Sequence, residues 1–203
     1  MTYDIVNVGS NPAEWLFWHQ SVFSDWDLLD ALENDADFRD ALGIDLPIQP
    51  DAKSVVIGNT DCVSRVGDRL DSYRNQVEEF AAPVTVQANQ SGLEWLGARL
   101  EALNITGETV AIFGSGSDAD HQAAIRGKVP IRDWVRMQHC MMITPEAEEY
   151  HYWSWKPDDW QPRALVRVEP DERFQLRLLK AEKALYKRRM EHTSKAAIPA
   201  ESV

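Results

Sequence analysis

The stretch GSGSDADH at residues 114–121 gathers two glycines, two serines, two aspartates and a histidine. Glycines let a ligand approach the backbone closely, backbone N–H groups and serine hydroxyls donate to an anion, and a helix starting just beyond adds positive potential. Gly114, Ser115, Gly116 and Ser117 are therefore expected to bind a phosphate-bearing ligand, with Ser115 and Ser117 as side-chain donors. Asp118 and Asp120 could hold a ribose hydroxyl, a proton or a metal, and His121 is the nearest acid or base, so these three are the expected catalytic residues. The same letters also suit a plain turn in which Ser117 or Asp118 caps the next helix. No lysine follows the glycines as in a P-loop, and GSG runs into Ser-Asp rather than the spacing of a dinucleotide fingerprint.

The run VAIFGSGSD, residues 110–118, resembles the phosphate-binding loop of the carboxyaminoimidazole ribonucleotide mutases, in which a strand leads into a GS-x-SD turn. The likeness covers about ten residues and implies Ser115 and Asp118 as ligand contacts. The family's later His-Arg and Gly-rich motifs have no counterpart in the chain, and the family is not assigned.

A divalent cation is a cofactor these residues could take, with carboxylates and an imidazole at Asp118, Asp120 and His121 and with His139 or His151 arriving from later strands. The spacing D-x-D-H lacks the fixed helical geometry of HExxH, so no metal site is assigned. Cys62 follows Asp61 at an expected helix start, where a thiol can ionise to a nucleophile, but it and Cys140 stand in no metal or redox spacing and packing is their simpler role. Residues 150–155, YHYWSW, form the most aromatic run. Strand alternation sets His151, Trp153 and Trp155 on one face, and Trp153 is the expected platform for a base, against ordinary packing of that face under a helix.

Such a loop requires a strand to enter it and a helix to leave it. TVAIF at residues 109–113 supplies the strand, and the alternation of elements around it predicts an α/β fold, a two-layer or three-layer sandwich with a mixed sheet. Parallel strands are expected near 54–58, 83–88 and 108–113, with a helix over SGLEWLGARLEAL at 91–103. Antiparallel strands are expected near 139–144, 149–155 and 163–169. An acidic helical region at about 10–45 precedes them, started by Asn11-Pro12 and by Ser24 with Asp27 at capping-box spacing, and stopped by Gly43. A long helix follows the last strand. There Arg173, Arg177, Lys180 and Lys187 share one face beside an apolar stripe of Phe174, Leu178, Ala181 and Leu185. Residues 1–192 are thus expected to form one domain and 193–203 a flexible tail.

The 203 residues suffice for a sizeable core. The net charge of -12 is divided unevenly: residues 1–162 hold 11 Lys and Arg against 27 Asp and Glu, whereas 163–203 hold 10 against 6. An acidic body should repel nucleic-acid phosphates, which leaves the basic C-terminal helix as the place for them, and it suits a basic surface on a protein partner. No apolar run is long enough for a membrane span and no leader pattern opens the chain, so the expected location is cytoplasmic. Two functions follow. One is a small-molecule-binding protein, an enzyme or binding domain, that takes a nucleotide or other phosphate-bearing ligand at Gly114–Asp118. The other is a non-enzymatic acidic interaction protein: an inhibitor, an immunity factor or a mimic of nucleic-acid charge.

Overall fold

A computed structural model describes residues 2–7, 12–44, 68–114, 116–156 and 162–196, with side chains through residue 192. The expected strand near 54–58, Cys62, Ser115 and residues 197–203 lie outside the described residues.

The chain opens with β1 (Tyr3–Ile5), α1 (Pro12–Ser21) and a two-residue β2 (Phe23–Ser24), followed by α2 (Asp25–Asn34) and α3 (Ala36–Leu42). Ser24 caps α2 through a reciprocal capping box: its hydroxyl accepts from the Asp27 N–H at 3.4 Å, and the Asp27 carboxylate accepts from the Ser24 N–H at 2.8 Å. Asp35 caps α3, and Gly43 ends it in the left-handed region at φ 66°, where a side chain would be strained. Helices α2 and α3 therefore start and stop at the residues whose local chemistry specifies them, while Asn11, the expected cap of α1, lies outside the described residues.

After α4 (68–74) come β3 (Ala82–Ala88), β4 (Leu96–Leu103) and β5 (Thr109–Phe113), which form an antiparallel meander. Then α5 (Asp118–Ile125), α6 (Ile131–Ile143), β6 (Glu149–Ser154), β7 (Ala164–Arg167) and α7 (Glu172–Ala196) complete the mixed α/β fold. The sheet order is β1-β3-β4-β5-β6-β7, with β2 beside the first residues of β4. Strands β3 and β5 run the same way on either side of the opposed β4, β6 joins β5 in parallel, and β7 closes the edge antiparallel to β6.

The strand directions correct the expectations. The strands near 83–88 and 108–113, expected to be parallel neighbours, each pair antiparallel with β4, and that near 149–155, expected to be antiparallel, joins β5 in parallel. Two elements correct them as well. Residues 91–103, expected as a helix, contain β4, and residues 139–144, expected as a strand, contain the end of α6 and the Thr144 that follows it. Burial is the cause in both. Strand β4 is central and largely buried, with Arg99 its one exposed residue, and its leucines at 96, 100 and 103, with Leu93 in the turn before it, mimic helical spacing. Helix α6 is amphipathic as a whole, but Met137, Gln138, His139, Cys140 and Met141 near its end form an unbroken buried run, and that stretch alone shows no helical period.

The sheet's two faces carry separate cores. On one, Val86, Leu100, Ile112 and Tyr152 pack against α2, α6 and α7 through Leu28, Val135 and Leu178. On the other, Ala111, Phe113 and Trp153 pack under Leu70 and Tyr73 of α4. Alternation along β5 and β6 sends neighbouring side chains into different cores. Helix α7 is fastened at several levels: Phe174 and Leu178 enter the core, buried Glu182 meets buried His139, and Tyr186 stacks on Trp95 with ring centroids 5.2 Å apart. Arg188 and Arg189 then pair with Asp35 and Asp27 of the acidic N-terminal helices.

Candidate functional site

Strands β5 and β6 end side by side, Phe113 opposite Trp153, and the Gly114 N–H donates to the Trp153 carbonyl at 2.8 Å. The chain then turns through Gly116 and Ser117 into α5. Ser117 is the N-cap of that helix, its hydroxyl accepting from the Asp120 N–H at 3.1 Å. The capping role and the strand-turn-helix setting expected for the quoted stretch are thus both present.

Two cations from distant parts of the chain reach this turn. Gly116 has φ 83°, and the space a β-carbon would occupy there is filled by the Arg69 guanidinium from α4. Lys156, just beyond β6, pairs with the Asp118 carboxylate, which is largely solvent-exposed. The turn therefore presents a helix N-terminus, backbone N–H groups and two cationic side chains in one place, a setting that stabilises an anion.

Beneath the turn lies a buried polar group. A β-carbon on Gly114 would stand 2.5 Å from the Tyr152 hydroxyl and 3.4 Å from Ser154 Oγ, so glycine lets the turn lie directly on them. His121, on the first turn of α5, points inward. Its Nδ1 lies 2.9 Å from Ser154 Oγ, and its Nε2 is buried with no hydrogen-bond partner among the described residues. Whichever tautomer holds, one ring nitrogen has an unmet hydrogen bond. The Tyr152 hydroxyl lies against the Asp133 carboxylate without meeting hydrogen-bond geometry. Burial pushes Asp133 up to about 6 and Glu101 and Asp120 push the same way, outweighing Tyr152 and Arg136, which act to lower it. Arg136 in turn is clamped by Asp25, at 2.9 Å, and Glu101, at 3.1 Å, while the second Glu101 oxygen accepts from the Phe113 N–H at 2.5 Å.

The expected catalytic trio is distributed rather than convergent: Asp118 turns outward to Lys156, His121 turns inward to Ser154, and Asp120 acts electrostatically on Asp133 and Tyr152. Trp153 lies on the opposite face of the sheet, 3 % exposed and edge-on to Tyr73 at 5.8 Å, so its ring is enclosed by α4 and offers no open stacking surface. The other histidines do not join His121. His139 sits in α6 between Glu182, at 2.8 Å, and the Gly97 carbonyl, at 3.0 Å. His151 faces the other core, where its Nδ1 meets the Tyr73 hydroxyl at 2.8 Å and its Nε2 meets Glu149 at 2.9 Å. Among the described residues, no group of three His, Cys, Asp or Glu is placed to hold a metal ion. Buried Cys140 has its thiol pKa raised by that burial, which suits a packing role.

Arg69, Lys156, Tyr152, Ser154 and Asp133 carry much of this site, and none of them stands in a motif. Only Tyr152 and Ser154 fall within a stretch the sequence marks, the aromatic run.

No family model and no curated protein matches the sequence. In shape the chain is similar to an alkaline exonuclease, LHK-Exo, from Laribacter hongkongensis, with a TM-score of 0.51 at 15% identity, covering 91% of this chain and 100% of that one. The structure of LHK-Exo in complex with dAMP gives a TM-score of 0.56 at 14% identity, covering 89% of this chain and 95% of that one. At these identities the likeness is one of fold. No helix among the described residues is long and apolar enough to cross a membrane.

Proposed function

We propose that the chain binds a phosphate-bearing ligand, a nucleotide in the first instance, at the turn Gly114–Asp118. The observation that carries this reading is the convergence of Arg69 and Lys156, from separate elements, on a turn that ends at a helix N-terminus. Arg69 and Lys156 would supply positive charge, the N–H groups of Gly116 and Ser117 would donate, and Ser115 would contribute its hydroxyl. Asp118, released from Lys156 by the incoming anion, would accept from a ribose hydroxyl. His121 would move a proton if the ligand is turned over, its Nε2 being one of the polar atoms beneath the turn, with the Tyr152 hydroxyl, that lack a partner among the described residues. The dAMP held by a protein of similar fold supports a nucleotide as the first ligand to try.

Thermal shift in dAMP, ribose 5-phosphate and inorganic phosphate tests the reading on wild type, Arg69→Ala and Lys156→Ala. At about 100 times its dissociation constant a ligand stabilises the folded protein by about 2.7 kcal/mol. Each substitution removes a charged contact of about 1.5–3 kcal/mol, so binding should weaken roughly tenfold to a hundredfold. A shift that is absent from wild type, or that both variants retain in full, would return the turn to a purely structural role. The acidic-interaction reading has less support, because Arg188 and Arg189 already engage part of the acidic N-terminal surface.

A further inference from the structure

We infer that the outer face of α7 is a second, separate contact surface, for the sugar-phosphate backbone of double-helical nucleic acid. The inner face of the helix is fully committed: Phe174, Leu178 and Glu182 are buried, and Tyr186 and Arg189 are fixed against Trp95, Asp27 and each other. Opposite to it, Arg173, Lys180, Lys183 and Lys187 are all exposed. Arg173, Lys180 and Lys187 follow one another at two-turn intervals, and Lys183 falls between the last two on the same outward strip.

The pairing of these cations is informative. The chain has 33 Asp and Glu for 21 Lys and Arg, so acidic partners are in excess. Arg188 and Arg189 on the flank of the helix take theirs, yet among the described residues Arg173, Lys180, Lys183 and Lys187 form no ion pair. Four unneutralised cations in one row, on a molecule otherwise rich in negative charge, direct a polyanion to this strip and away from the rest of the surface.

The geometry selects among polyanions. From Arg173 to Lys187 the row is about 21 Å long, at about 1.5 Å per residue. That length matches about six successive nucleotides of one duplex strand at about 3.4 Å each. A lipid surface would need the apolar face of the helix, which is docked on the core, leaving only Leu176 and Met190 exposed among the large apolar side chains described on α7. A single strand would need rings on which to stack, and the outer strip carries none among the described residues. Contacts of this kind read no sequence, so binding should be independent of it.

Fluorescence anisotropy with a labelled duplex of about 20 base pairs tests this, because four phosphate contacts predict an affinity loss of about a hundredfold between about 50 mM and 200 mM salt. The variant Lys180→Glu/Lys183→Glu/Lys187→Glu, its melting temperature unchanged, should bind at least about tenfold more weakly at the lower salt. The matching Lys→Gln variant, which introduces no new repulsion, should show a smaller loss in the same direction. The inference is overturned if wild type fails to bind the duplex at low salt, or if both variants bind within about twofold of it. It is equally overturned if polyglutamate of equal charge, a single strand of equal length, or phosphatidylserine vesicles capture wild type as tightly as the duplex does.

Discussion

Gly116 is held to glycine by two independent demands, a positive φ of 83° and the Arg69 guanidinium lying where a side chain would begin. Gly116→Ala should therefore cost about 1–2 kcal/mol of folding stability from backbone strain, read by urea denaturation, and should displace Arg69 so that phosphate binding weakens as well. Asp133 makes a pH prediction. Its folded pKa, about 6, lies above its ordinary value of 3.8, so the folded state holds the proton more tightly than the unfolded one. Its stabilising contribution is then full below the ordinary value and is lost as pH rises through about 6. Asp133→Asn should flatten the stability profile between pH 4 and 6, relative to wild type, and should stabilise the protein at pH 7 by on the order of 1 kcal/mol. A difference profile that slopes the other way would show the carboxylate to be stabilised as an anion. At this scale the sequence was half legible. The turn letters of Gly114, Gly116 and Ser117 report local backbone chemistry and could be read directly, whereas Arg69, Lys156 and Asp133 reach the site only through the parallel pairing of β5 with β6 and the packing of α4 and α6 on the sheet.

Helices α2 and α3 were legible because capping is decided within four residues, as Ser24, Asp27, Asp35 and Gly43 show. Strand β4 and the end of α6 were not, because the leucines of β4 mimic helical spacing and residues 137–141 of α6 are buried in an unbroken run. Those same two elements are joined by His139, which reaches the Gly97 carbonyl of β4 with Nε2 and Glu182 of α7 with Nδ1. Burial acts to lower the His139 pKa, but Glu182 and the Gly97 carbonyl outweigh it, and the net shift is upward. The pair therefore adds stability below the ordinary histidine range and loses it as pH rises through the elevated folded value. Without Glu182 the buried imidazole is neutral and its Nδ1 loses its partner, so Glu182→Ala should cost about 1–3 kcal/mol. Since the second Glu182 oxygen is buried without a partner among the described residues, the double variant His139→Leu/Glu182→Met should recover most of that loss. Urea denaturation of the three proteins at pH 7 decides it, and equal losses in the single and double variants would contradict the account.

For the molecule as a whole, the question is what keeps a basic helix on an acidic body. Arg188–Asp35 and Arg189–Asp27 are partly exposed pairs, worth about 0.2–1 kcal/mol each and weakened by salt. Leu178 is wholly buried, and Leu178→Ala should cost about 2–5 kcal/mol, against about 1 kcal/mol at most for Arg188→Ala. Apolar burial thus outweighs charge, and added salt should leave α7 docked, as circular dichroism and melting temperature would show. The uneven division of charge was plain in the sequence, but whether its two parts attract within one molecule or serve outside partners was not. That depends on the length and direction of α7, which brings Arg188 and Arg189 back to residues more than 150 positions earlier in the chain.

That fastening has a consequence for how the protein is made. Helix α7 leaves the ribosome after every other described element, and its 25 residues take about 1–5 s to synthesise. Through that interval His139 has no Glu182 and the acidic cap of α2 has no Arg189, while the apolar surface that Phe174 and Leu178 will cover is open to water. The early helices carry their own caps, but the core they line is complete only when α7 arrives. Helix α7 folds back onto elements made earlier, and until it does the apolar surface it covers is a site for aggregation.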